Sequence, residues 1–149
     1  SLIELSQLEW DEESLYQRVK DGTEIKYSAD VIRRVYEKHE IKIRIPDMPK
    51  MADFNLNLGK IKLNCIYNDN SHSNDAFLIY IPEEKVLFLG DSHAKNYYTK
   101  PMAYNKEKLR DYIDKITELD FEYAVPGHGN IFTREELLEY LEKEYTKMR

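Results

Sequence analysis

Apolar residues along the chain recur in two rhythms, and each rhythm predicts its own kind of element. Between residues 11 and 36 the spacing is helical. Asp11 caps a first helix running through Lys20, with Leu15, Tyr16 and Val19 on one face and Asp21-Gly22 as its stop. Ser28 caps a second helix whose face is Val31, Ile32, Val35 and Tyr36, and His39 fits its end, where an imidazolium is electrostatically favoured. From Ile41 the period shortens to two. Ile41, Ile43 and Ile45 alternate with Lys42 and Arg44 as a half-buried strand that stops at Pro46.

Phe54, Leu56 and Leu58 alternate with Asn55 and Asn57, Gly59-Lys60 allows a turn, and Ile61, Leu63 and Cys65 resume the alternation, which predicts a hairpin. A second hairpin is more deeply buried. Its strands, Ala76 to Ile81 and Val86 to Leu89, are nearly continuous in apolar residues, and Pro82-Glu83-Glu84-Lys85 turns between them. Leu109, Tyr112, Ile113, Ile116 and Leu119 then step by three and four as one face of a helix. A short strand through Val125 follows. Thr133 and Glu136 form a capping box, Phe132 and Leu137 a hydrophobic staple, and Leu138, Leu141 and Tyr145 continue the stripe of a last helix. The order predicts an α/β (α+β) fold with a mostly antiparallel, mixed sheet flanked by helices. It predicts one domain over residues 1–149, with 1–39 as a helical lead-in and 40–149 as sheet plus helices.

Composition narrows the class. With 42% hydrophobic and 34% charged residues the chain is that of a soluble globular protein, and its net charge of -6 supplies no general field for nucleic acid. The longest apolar runs, AFLIYI and VLFLG, are far short of the ~20 residues that cross a bilayer. A single cysteine, Cys65, excludes an internal disulfide and fits a reducing compartment, so a cytoplasmic location is expected. Cys65 alternates with Ile61 and Leu63, and core packing is its expected role.

The chemistry gathers at strand ends. His72 precedes the run Ala76 to Ile81, Asp91 follows Val86 to Gly90, and His128 stands between two glycines after Phe121 to Val125. Buried strands are rigid mounts, and a carboxylate at the end of one must be solvated, paired or metal-bound. Two histidines and a carboxylate suit zinc, iron or manganese. Asp75 either accepts a hydrogen bond from a liganding imidazole or closes a turn on its own backbone. His93, two residues beyond Asp91, is either a pocket residue or a solvent-exposed loop histidine.

SHSNDAFLIYIPEEKVLFLGD followed by PGHG resembles the C-terminal half of the metallo-β-lactamase superfamily, over about Ile61 to Met148. The resemblance implies part of an αββα sandwich and a two-metal centre, with His72 on the first metal, Asp91 bridging both as the catalytic carboxylate, and His128 on the second. The superfamily's upstream His-x-His-x-Asp-His motif has no counterpart between Ser1 and Asn70. The expectation is therefore a C-terminal portion of a metal-dependent hydrolase, inactive alone and with metal binding weak or absent in this chain alone, whose partner is a missing N-terminal half or a second copy, with a small-molecule substrate in the complete enzyme. The alternative is a binding or dimerisation module that keeps the scaffold without the metal site.

Overall fold

The computed structural model describes residues 2–36 and 40–148, which divide into two compact units, Ser1–Pro49 and Lys50–Arg149. The first unit is helical: α1 is Leu2–Ser6, α2 is Glu12–Asp21 and α3 is Lys26–Tyr36. Asp11 caps α2 as its sequence predicts, accepting the Ser14 N–H at 3.0 Å, and Gly22 ends it in the left-handed region at φ 77°. Leu15 and Ala29 are the buried side chains of these helices, and Arg33 reaches across from α3 to Glu12 at 2.8 Å.

Several expectations fail in this unit. Tyr16, Val35 and Tyr36 are 57%, 55% and 46% exposed, so the apolar face of each helix is narrower than its spacing implies. Lys26, not Ser28, begins α3, and Ser28 lies within it. Ile41 to Ile45 form no strand, because an alternating pattern becomes a strand only where a neighbour completes its hydrogen bonds, and none pairs with it among the described residues. His39 lies outside the described residues.

The second unit is a six-stranded sheet in the order β1 (Phe54–Asn57), β2 (Lys62–Asn68), β3 (Ala76–Ile81), β4 (Val86–Gly90), β5 (Tyr123–Pro126) and β6 (Phe132–Thr133). Both expected hairpins form. β1 pairs with β2 with Leu56 opposite Leu63, and β3 with β4 with Ile81 opposite Val86. β4 and β5 are parallel, joined through helix α4 (Lys106–Thr117), and every other neighbouring pair is antiparallel. Helix α5 (Arg134–Thr146) follows β6 and starts on the expected capping box, with both the Thr133 and Glu136 bonds made.

One face of the sheet makes the core. Leu78, Leu87, Leu89 and Ala124 pack against Leu109, Tyr112, Ile113 and Ile116 of α4 and Leu137 and Leu141 of α5, all nearly inaccessible to solvent. On the alternate positions Phe88 and Tyr123 remain 39% and 51% exposed. Cys65 is buried, and that burial pushes its thiol up, away from the reactive thiolate. No described helix is long and apolar enough to cross a membrane.

Candidate metal centre

Topology brings the three strand-end residues to one edge of the sheet. Asp91 follows β4 and His128 follows β5, and because these strands are parallel their C-terminal ends coincide. β3 runs antiparallel to β4, so the loop that enters β3, carrying His72, arrives at that same edge. At the end of β4 the register slips between Phe88 and Gly90, and Gly90 takes φ 53°, which turns the chain out of the ladder just before Asp91.

The two imidazoles converge on one carboxylate oxygen. His72 Nε2 lies 3.9 Å and His128 Nε2 3.7 Å from Asp91 Oδ2. The other oxygen, Oδ1, faces Gly127, where a Cβ would come within 2.8 Å of it. Gly127 N–H also donates to Gly90 O at 2.7 Å, so the absence of a side chain there lets the PGHG turn close on the carboxylate.

His72 is held on its far side, where Nδ1 lies 3.2 Å from the Lys95 carbonyl. A carbonyl only accepts, so Nδ1 carries a proton, and Nε2 is the nitrogen turned toward Asp91, where a metal ligand needs it. Tyr97 packs edge-on to this ring at 5.3 Å and 90°. His128 is 88% exposed.

Asp75 takes neither expected arrangement: its carboxylate accepts from the Ser73 side chain, whose Oγ donates at 2.7 Å, and the position beside His72 Nδ1 belongs to the Lys95 carbonyl. His93 is no exposed loop residue. Its Nδ1 is buried without a hydrogen-bond partner among the described residues, its ring lies 5.9 Å from Phe132, and burial pushes it below the ordinary imidazole range, opposed by the nearby Asp91 charge. Asn70 and Ser92, both buried and polar, also join the loops of the site. Sequence reasoning passed over them, although an Asn two residues before a loop histidine is a signal for a side chain that caps its own turn.

The residues present fit a borderline cation in donor chemistry and stand slightly open in geometry. Four-coordinate zinc with bonds of ~2.0–2.2 Å sets its donors about 3.3–3.5 Å apart. The Nε2–Oδ2 separations of 3.7 and 3.9 Å exceed this, and among the described residues no group of three His, Cys, Asp or Glu is drawn tightly enough to enclose an ion.

No protein-family model matches the chain. It is 29% identical over 109 residues to an uncharacterised protein of Methanocaldococcus jannaschii, a match spanning 59% of this chain and 28% of that one. In structure it resembles a metallo-β-lactamase family protein of Thermus thermophilus, with a TM-score of 0.55, 18% identity, and coverage of 93% of this chain and 47% of that one. It also resembles the chemotaxis sensor ODP, solved as a peroxy diiron species, with a TM-score of 0.50, 20% identity, and coverage of 62% and 48%. The fold is that of the metallo-β-lactamases. The chain spans about a quarter of the curated relative and about half of each of these two structures.

Proposed function

We propose that this chain is the C-terminal, metal-carrying portion of a metal-dependent hydrolase of the metallo-β-lactamase superfamily, inactive alone. In the complete protein it acts on an ester, thioester, lactam or phosphodiester bond of a small-molecule substrate. The observation that carries the reading is the convergence of His72 Nε2 and His128 Nε2 on Asp91 Oδ2. Zinc is the expected ion, with iron or manganese as alternatives, and the diiron species of the sensor ODP speaks for a pair of ions. When bound, such a pair lowers the pKa of water and polarises the scissile bond.

The chain's own residues prepare that site. His72 offers Nε2, oriented by the Lys95 carbonyl. Asp91 supplies the negative charge between the imidazoles, and Gly127 lets the PGHG turn approach it. His128 completes the set from the PGHG turn. Two imidazoles and one carboxylate fall short of the ligands two metals require. The remainder comes from an N-terminal half bearing the His-x-His-x-Asp-His motif, or from a second copy of the chain.

Exposed Phe88 and Tyr123 favour a second reading, a scaffold that pairs through this sheet face without metal chemistry. Elemental analysis after loading with zinc, iron or manganese, run beside Asp91→Asn and light scattering, separates the two. Metal bound by the wild type and lost in D91N supports the hydrolase portion, and a hydrolase screen with the completing half follows. A metal-free dimer supports the scaffold.

A further inference from the structure

We propose that Asn70 is the positioning residue that sets His72 against Asp91, tying the loop of the imidazole to the loop of the carboxylate; the proposal rests on the metal-site reading above. Asn70 is 1% exposed, and all four bonding positions of its amide are used. Oδ1 accepts the backbone N–H of His72 at 2.9 Å and of Ser73 at 3.0 Å. Nδ2 donates to the Asn68 carbonyl at 3.2 Å and to the Ser92 hydroxyl at 3.2 Å.

These bonds do two different things. The pair on Oδ1, with the Asn70 N–H to Ser73 O bond of 2.9 Å, folds residues 70–73 into the turn that presents His72. The bond to Ser92 leaves that turn and reaches the residue after Asp91, itself 3% exposed. The direction of the amide follows from its surroundings, since two backbone N–H groups need an acceptor and the Asn68 carbonyl needs a donor.

His72 is therefore referenced twice to the segment that follows β4. Its backbone is referenced through Asn70 to Ser92, and its ring through Nδ1 to Lys95. A buried amide with every position filled resists displacement, because any shift leaves a polar group unpaired where water cannot replace the partner. The separation of the two proposed ligands is thus set by a side chain that touches neither ring nor carboxylate.

Two variants test this. Asn70→Ala removes every bond of the amide, whereas Ser92→Ala keeps the His72 turn and cuts only its link to the Asp91 segment. Zinc affinity is read by competition with a chromophoric chelator, and hydrogen exchange of the His72 and Ser73 amides is read on the metal-free chain. Both variants are expected to lose zinc affinity by ~10–100-fold, as partners of ligands do elsewhere. Ile116→Val, a core change at a fully buried position, leaves zinc affinity unchanged despite its stability loss. Amide protection at His72 disappears in N70A and falls in S92A. Folded N70A and S92A with zinc affinity within about twofold of wild type overturn the proposal. If wild type itself takes up no zinc, the metal-site reading fails separately and exchange decides: lost protection in the variants upholds Asn70, and unchanged protection overturns it.

Discussion

Replacing Gly127 by alanine drives a methyl group into the Asp91 carboxylate. Its Cβ would lie 2.8 Å from Asp91 Oδ1, 3.3 Å from the Gly90 carbonyl carbon and 3.4 Å from its oxygen, so something must move. The turn cannot retreat freely, because Gly127 N–H is bonded to Gly90 O at 2.7 Å and Pro126 is in register with Gly90. Forcing it back has the cost of overpacking, ~1–3 kcal/mol. Alternatively Asp91 rotates. That relieves the clash and leaves stability near wild type, but carries Oδ2 away from the two imidazoles now 3.7 and 3.9 Å from it. Losing that orientation weakens metal binding by ~10–100-fold, or about 1.4–2.7 kcal/mol. Urea unfolding of the metal-free protein and zinc competition on the same preparation read the two responses separately. A G127A protein within about 0.5 kcal/mol of wild-type stability and about twofold of its zinc affinity refutes the reasoning, because Asp91 is then not seated against Gly127.

Other outcomes follow from the same geometry. Leu78→Ala, at the fully buried centre of β3, lowers unfolding free energy by ~2–5 kcal/mol in urea titrations. Thr133→Ala removes the cap of α5 at a cost of ~0.5–2 kcal/mol, and isothermal titration finds zinc binding unchanged. Glu144 bonds Lys147 and, at 2.9 Å, Lys95, and these bonds hold its carboxyl below the ordinary value of 4.5. A depressed folded pKa contributes stability that is present above the unfolded value and is lost as pH falls through the folded one. As pH falls from about 4.5 through the folded value, the urea midpoint of wild type therefore falls more steeply with acid than that of Glu144→Gln.

What could be read beforehand was whatever depends on a residue's own neighbours in the chain. The β3–β4 hairpin was legible because two apolar runs flank a turn sequence, and α5 because Thr133 and Glu136 cap it three residues apart. The shared edge of His72, Asp91 and His128 followed from their positions at strand ends. Where the outcome rests on a partner from elsewhere, the pattern misled. Ile41 to Ile45 alternate like a strand yet lack a pairing neighbour, and Val35 and Tyr36 extend a helical stripe beyond what their small unit covers. Asp75 was plausible as the partner of His72, but the Lys95 carbonyl, 23 residues beyond His72, holds that ring. The tie from Asn70 to Ser92 was invisible for the same reason: it spans 22 residues, and no local rhythm records it.

The most direct measurement is anomalous X-ray scattering at the zinc edge from crystals of the chain grown with zinc. A peak within bonding distance of His72 Nε2, Asp91 Oδ2 and His128 Nε2, vanishing in Asp91→Asn crystals, is the predicted result. A folded chain whose zinc peak avoids these three atoms, or that shows no peak at all, contradicts the metal-centre account.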